Sequence, residues 1–448
     1  MQEKMFVVAA AIIMVISFTI GEGAARAYDF SENKRGNIMQ NRTFLPAKIM
    51  LPRTGTDLTK WAVVACDQYT SLPEYWHEVE EKVGDAPSTL HIVFPEVYLK
   101  EGTKRIDSIN STMESYVKDG IVAESVNGFI LVERDTPSGK RLGLIGLIDL
   151  EQYDYTPGAD AMIRATEGTV PERIPPRIKI RENALLELPH VMILIDDREA
   201  RVIENLFNEK EKLRALYDFD LMMNGGHLRG YAVEGETAEK VLEEFDELAK
   251  KSGGFLFAVG DGNHSLATAK ACWEKTKARL NEEERETHPA RFAMTEVVNL
   301  HCEALQFEPI HRLLLNADME TLADGFEEYL KKQNITPGEG DDVIFTGSGK
   351  KCAFSVSDPS GRLPVDLLQS YLDKYLSENK ESSIDYIHGE SDLVSLAEKS
   401  GGCGILLKAI DKNSLFPAIK AGGVLPRKTF SMGEAYEKRY YMECRKIK

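Results

Sequence analysis

The densest run of chemically capable side chains is Gly260, Asp261, Gly262, Asn263, His264 and Ser265. An apolar stretch from Phe255 to Val259 precedes it, and a helix from about Asn263 to Leu280 is expected after it. The first amides of a helix have no partner inside it and carry partial positive charge, so this terminus is suited to phosphate or carboxylate. Glycine lets the backbone approach a ligand, while Asn263, His264 and Ser265 add donors from the first turn. The plain structural alternative is a capped helix in which Asp261 accepts amide hydrogens. No Gly-Lys-Ser/Thr follows, so this is not a P-loop, and Ser265 breaks the Gly-x-Gly-x-x-Gly dinucleotide pattern.

A second concentration lies upstream. Arg164, Arg173, Arg177 and Arg181 fall within eighteen residues, interleaved with Thr169 and Glu167, a positive island in an acidic chain. The planar guanidinium fork matches phosphate oxygens, although surface ion pairs with the surplus carboxylates would explain the same residues. Glu167 could take a proton from a hydroxyl if its surroundings tune its pKa. Pro175 and Pro176 argue against one continuous helix, so a loop opening into a helix near Arg181 is expected.

Weaker candidates are the Cys66–Thr70 turn at a strand end, His311 with Arg312, His388 within Tyr386–Glu390, and Lys428 in a short basic turn. His190, between a Leu-Pro pair and a strand, reads as a core histidine. No His-x-x-x-His or His-Glu-x-x-His helix suggests zinc, and no Gly-x-Ser-x-Gly suggests a serine hydrolase.

The elements that must position these residues alternate as in an α/β protein. Strands are expected at Trp61–Ala65, Thr89–Phe94, Val191–Ile195, Phe255–Val259, Cys352–Val356 and Gly404–Ala409. Two hairpins are expected, one through Pro137-Ser138-Gly139 and one through Asn224-Gly225-Gly226. Helices are expected at Asn110–Lys118, Ala200–Tyr217, Glu236–Lys251, Asp318–Lys332 and Val365–Leu376. Asn281–Thr287 reads as an acidic solvated segment, and Thr336–Lys351, Gly-rich and polar, as a boundary or surface loop. The domain expectation is a leader over 1–38, an α/β core over 39–335 carrying the phosphate-binding motifs, and an α/β region over 336–448.

The chain has 448 residues, with 55 Lys+Arg against 72 Asp+Glu and a net charge of −17. That balance disfavours nucleic acid as a partner, since a phosphate backbone needs a basic face. At 43% hydrophobic and 28% charged, the composition supports a large buried core. The six cysteines lie too far apart for a C-x-x-C pair and read as reduced thiols, mostly packed as small hydrophobes. Met5–Ile20 is apolar and precedes Ala25-Arg26-Ala27, a signal-like pattern, but sixteen residues are short for a span of about 30 Å. The alternative is translation from Met39. That start implies a cytoplasmic chain with no membrane partner, whereas a genuine signal implies export.

Taken together, the segments resemble domain-of-unknown-function family 1015, whose members carry an Asp-Gly-His-His-Arg signature. Here it stands as Asp261-Gly262-Asn263-His264-Ser265, with Arg164–Thr169, Pro309–Arg312, Tyr386–His388 and Pro426–Thr429 in matching order from about Phe44 onward. The family is similar to the ParB/sulfiredoxin superfamily, which includes the free-serine kinases. The resemblance implies a mixed α/β fold with a ParB/sulfiredoxin-like core and additional α/β regions. It implies that Asp261 and His264 bind phosphate or position a metal; Glu167 is the candidate for the kinase-like glutamate on its local context alone. Asn263 replaces a histidine and Ser265 an arginine; the lost bidentate contact would have to come from Arg164, Arg173 or Arg177.

The expected activity is phosphoryl transfer to, or removal from, a small hydroxylated metabolite, with serine or phosphoserine favoured. Catalysis is assigned to Glu167, Asp261 and His264, with Asp261 on Mg²⁺. Ligand binding is assigned to Gly260, Gly262, Asn263, Ser265, Arg164, Thr169, Arg173, Arg177, His311, Arg312 and Lys428, and ATP or ADP is the expected cosubstrate. The rival is a non-catalytic nucleotide or phosphometabolite sensor working through a protein partner.

Overall fold

The longest strands come from the most consistently apolar hairpin, Val122–Thr136 with Gly139–Asp149, paired antiparallel from Ile130↔Ile145 to Thr136↔Gly139. Its inward positions Phe129, Leu131, Leu144 and Ile148 are essentially inaccessible to solvent. The computed structural model describes residues 42–70 and 72–448; the signal-like segment and the Met39 start lie outside the described residues.

This hairpin is the spine of an eleven-stranded mixed sheet. The Arg214–Asp220/His227–Val233 hairpin adds to one edge. On the other side, Phe292–Asn299 runs antiparallel to Gly139–Asp149 and parallel to Met192–Ile195. Phe257–Asp261 pairs antiparallel to Met192–Ile195 and parallel to Ile163–Ala165. Ile163–Ala165 and Phe257–Asp261 therefore end side by side, and the two segments singled out for chemistry leave the sheet there. Helices Gly235–Lys251 and Asn263–Lys277 cover one face through Leu242, Phe245, Leu266 and Trp273. Helix Lys412–Gly422 packs on the other through Leu415 and Ile419, against Leu194, Ala258 and Val298.

A second sheet of six strands is centred on Cys403–Leu407 and Phe307–Leu315. Helices Met319–Lys332 and Pro364–Glu378 cover one of its faces, and Leu393 and Ala397 of Glu390–Ser400 pack on the other. Alternation along Phe307–Leu315 places Arg312 and Leu314 on the same face, opposite Leu313. The final residues return to the first sheet: Tyr440–Tyr441 pairs with Val63–Val64, and Arg445–Lys446 with Leu186–Glu187.

The fold is thus mixed α/β, built on a large mixed sheet. Several local expectations are corrected. Thr89–His91 is a 3₁₀ turn, because the Ser88 hydroxyl accepts from Leu90 N–H at 3.2 Å and the Thr89 hydroxyl donates to the Trp61 carbonyl. Only Val63–Val64 is strand in the Trp61–Ala65 run; Leu58–Trp61 is a helical turn capped by Asp57. The helix expected over Ala200–Tyr217 stops at Asn208, and Arg214–Asp220 is a strand because its hairpin partner outweighs local preference. Thr336–Lys351 contains strand Gly338–Gly347, Asn281 opens a short helix with a capping box, and Ile174–Arg181 is a helix ending, not beginning, at Arg181. Pro175 and Pro176 lie in its first turn, where a missing N–H costs no helical bond. Among the described residues, all six cysteines are free thiols.

Gly146 sits under the stacked Phe44 and Phe129 rings, and a Cβ there would come within 2.7 Å of Phe129 Cδ1 and closer still to Phe44. Gly146→Ala is therefore expected to destabilise the chain by about 1–3 kcal/mol through overpacking, read by urea denaturation. A loss below about 0.5 kcal/mol would contradict this packing.

Candidate functional site

The turn leaving Phe257–Asp261 needs both its glycines. Gly262 caps helix Asn263–Lys277 with φ of +86°, and a Cβ on Gly260 would lie 2.8 Å from Met432 and 2.9 Å from Leu194. Among the described residues no side chain caps the helix. Asp261 Oδ1 instead accepts from the neighbouring Gly262 N–H at 2.8 Å, leaving the first turn open to a ligand.

Two signature side chains fasten this turn to the parallel strand beside it. Asn263 Oδ1 accepts from Thr166 N–H, and its Nδ2 donates to Thr166 Oγ1, both at 3.2 Å. His264 Nε2 accepts from Val170 N–H at 3.1 Å, which makes the neutral Nδ1–H tautomer the one held here. Clamped between those contacts, Glu167 faces a cavity of about 460 Å³. Burial raises the Glu167 carboxyl above its ordinary range; nearby Asp261 adds to the rise, while Lys428, through its charge and a backbone hydrogen bond, and Lys438 oppose it.

Gly260–Ser265, Glu167, Arg173, Arg177 and Lys428 all line this cavity. Arg177 pairs with Glu96 and donates to the Arg173 carbonyl at 3.1 Å. Arg181 also lines it but is committed to Glu187, whose carboxyl sits between Arg181 and Arg445 and is held down at about 2 despite burial. Ile92, Val93, Phe94, Ile109 and Met113 contribute an apolar wall.

Four expected binding residues lie elsewhere. Arg164 bonds Asp160 at 2.7 Å and the Ala161 carbonyl at 2.9 Å, with its guanidinium over the Phe255 ring. Thr169 faces a different cavity. His311 is buried and accepts from Leu407 N–H at 3.2 Å. Arg312, wholly buried, donates to the carbonyls of Ile310, Lys428 (2.9 Å) and Arg427. It therefore fixes the Lys428 loop, where Lys428 itself takes a left-handed φ of +58°, uncommon for a residue with a side chain.

Sequence reasoning missed the other half of the cavity, which comes from the returning C-terminal segment. Lys438 Nζ lies 3.3 Å from Asp261 Oδ2, with only 11% of its side chain exposed. Its loop is held as the Lys428 loop is. Buried Arg134 donates to the carbonyls of Tyr436 (2.6 Å), Lys438 (2.7 Å) and Glu437, and Arg141 also donates to Glu437. Arg439 and Tyr441 line the cavity too, and so does His190, whose imidazole burial keeps below its ordinary pKa. Nothing local in Glu437-Lys438-Arg439 marks it as part of a site; only the pairing of Tyr440–Tyr441 with Val63–Val64 brings it there.

Six Lys/Arg and four Asp/Glu line the cavity, a positive excess inside an acidic chain. Among the described residues no three His, Cys, Asp or Glu side chains converge to hold a metal unaided. Asp261 and Glu167 are two neighbouring carboxylates, a donor set that fits Mg²⁺ only when bound phosphates and waters complete its shell. Lys438 already pairs with Oδ2 of that Asp261 carboxylate. No described helix is long and apolar enough to cross a membrane.

A family model described as "Protein of unknown function (DUF1015)" matches residues 50–386, and the chain belongs to that family. No curated protein matches. Solved structures similar to this chain include a conserved hypothetical protein from Pyrococcus furiosus, 12% identical, with TM-score 0.34 over 67% of this chain and 94% of that one. A free serine kinase in complex with AMP is 12% identical with TM-score 0.35, covering 67% and 91%. SbnI with a C-terminal truncation, from Staphylococcus aureus, is 9% identical with TM-score 0.34, covering 64% and 82%.

The raised Glu167 pKa has a stability consequence. A carboxyl whose folded pKa lies above its unfolded value binds more protons when folded, so stability falls as pH rises from about 4.5 through the folded pKa. Glu167→Gln removes that loss at a rate of about 1.4 kcal/mol per pKa unit. The variant should melt higher than the parent at pH 7, with the difference shrinking toward pH 4. A lower melting temperature at pH 7 would contradict the buried-carboxylate account.

Proposed function

We propose that this DUF1015 member is an enzyme transferring a phosphoryl group to, or removing one from, a small hydroxylated metabolite, with serine or phosphoserine the first candidates. One observation carries the reading: the open first turn of Asn263–Lys277, a surplus of cationic side chains and a carboxylate with a raised pKa line a single cavity. Its size of about 460 Å³ suits a nucleotide or a phosphorylated metabolite. The resemblance of the DUF1015 family to the ParB/sulfiredoxin superfamily supports a core of that type.

Phosphoryl transfer asks mainly for positioning and charge neutralisation. The phosphate would sit against the Asn263–Ser265 amides, with Lys428 and Lys438 beside it and Arg173 and Arg177 at the arginine helix. Glu167, clamped by the Asn263–Thr166 and His264–Val170 contacts, would take the proton from an attacking hydroxyl or water, and its raised pKa matches that task. His264 already accepts a hydrogen bond at Nε2, so its part is to hold the Val170 segment. Mg²⁺ carried on the phosphates would spread their charge, with Asp261 as the residue to hold it. ATP or ADP is the proposed phosphoryl donor in the kinase direction.

A sensor reading is the alternative, favoured by two observations. Ser265 stands where the signature has arginine, and Asp261 is engaged by Lys438. The test is purified full-length chain with Mg²⁺, supplied with serine and ATP or ADP, and separately with phosphoserine. Phosphoserine formation or phosphate release is expected, and Glu167→Gln should slow it by roughly 10²–10⁴-fold. No turnover with either nucleotide and no release from phosphoserine would reject the enzyme; stabilisation by a nucleotide that is not consumed would then favour the sensor.

A further inference from the structure

A second cavity of about 580 Å³ shares no lining residue with the first, although the two adjoin along the chain at Glu167–Gly168 and Arg427–Lys428. Its lining is unusually balanced. Asp366, Gln369, Ser370 and Asp373 project from one face of Pro364–Glu378 at helical spacing, and Arg362 and Arg427 bring positive charge from other segments. Some of this polarity is already used. Asp366 Oδ2 accepts from Leu363 N–H at 3.0 Å, Arg362 pairs with Asp358 at 2.5 Å, and one Asp373 oxygen accepts from Gln369 at 2.9 Å. Among the described residues the Arg427 guanidinium, the second Asp373 oxygen and the Tyr386 and Ser370 hydroxyls make no hydrogen bond or ion pair, although the buried Arg312 guanidinium lies over the Tyr386 ring and Asp373 contributes to its countercharge. Thr169 Oγ1 is buried and, among the described residues, has no hydrogen-bond partner, a costly state unless something supplies one.

A lone anion here would meet two carboxylates, and a lone cation two guanidiniums. A small molecule carrying both charges meets neither conflict. We propose that this cavity binds the zwitterion of a free α-amino acid, its carboxylate at Arg427, its ammonium at Asp373 and a polar group reaching Thr169. The site also has a built connection to the anion cavity. Gln369 Oε1 accepts from Arg312 Nε at 3.3 Å, and Arg312 donates to the carbonyls of both Arg427 and Lys428. A ligand held between Arg427 and Asp373 therefore bears on the loop that presents Lys428 to the anion, and the coupling must be equal in both directions.

The site stands apart from the phosphoryl-transfer reading and is tested apart from it. The twenty protein amino acids are screened one by one at millimolar concentration for thermal stabilisation of the full chain, and hits are titrated by calorimetry. At least one is expected to bind, while its N-acetyl and carboxamide derivatives do not. Arg427→Ala and Asp373→Asn, both at solvent-exposed positions, should each weaken it at least tenfold and leave the ligand-free melting temperature and inorganic phosphate binding unchanged. The amino acid should shift phosphate affinity at least threefold, and Gln369→Leu should remove that shift. No binding by any of the twenty, or binding that survives both Arg427→Ala and Asp373→Asn, would overturn the site; phosphate affinity indifferent to the amino acid would overturn the coupling.

Discussion

Two buried guanidiniums hold the candidate site in shape. Arg134 and Arg312 are each inaccessible to solvent, and each donates to backbone carbonyls, with the Arg312 Nε on the Gln369 side chain, instead of to a carboxylate. Burial pulls Arg134 down to about 9 and Arg312 to about 10, still protonated near neutrality. Charge-assisted bonds of this kind are stronger than neutral ones, and their loss inside a core leaves several carbonyls unpaired. The carbonyls they hold belong to Tyr436–Lys438 and Arg427–Lys428, the two loops that bring lysine side chains to one cavity.

The rest of the site follows from that arrangement. Lysine ammoniums fixed by backbone clamps set the charge around the open turn at Gly262, and Glu167 is drawn into the same field by the bonds of Asn263 and His264 to its flanking segment. Substituting Asn263 for the signature's first histidine keeps a donor and an acceptor on one short side chain, which is what the double contact with Thr166 uses. Cations reach the cavity from three parts of the chain outside the motif: the Pro171–Arg181 segment, the Lys428 loop and the Lys438 loop. None of those is local to the motif.

The strand, turn and helix around Asp261 were legible because apolar periodicity and paired glycines are local signals. Both hairpin turns were legible for the same reason, being written in Pro-Ser-Gly and Asn-Gly-Gly. Arg214–Asp220 was not, since its charged sequence becomes a strand only against His227–Val233. The arginine island split for a similar reason: Arg173 ends the 3₁₀ turn Pro171–Arg173 and Arg177 lies in the helix that follows, both lining the cavity, whereas Arg164 points from a strand toward Asp160 and Phe255. Arg312 carried a real signal, but spacing alone cannot tell a guanidinium that touches a ligand from one that positions a loop. Lys438 had no signal, because more than 170 residues separate it from Asp261 and only the returning C-terminal strand joins them.

The central claim is that this cavity receives a tetrahedral oxyanion at the amino end of Asn263–Lys277. The most direct measurement is a crystal structure of the full chain soaked with tungstate, a heavy anion of phosphate-like charge and shape. A strong scattering peak is expected within hydrogen-bond reach of the Asn263–Ser265 amides and of the Lys428 or Lys438 ammonium. A well-ordered cavity with no peak there, while tungstate binds elsewhere on the molecule, would contradict it.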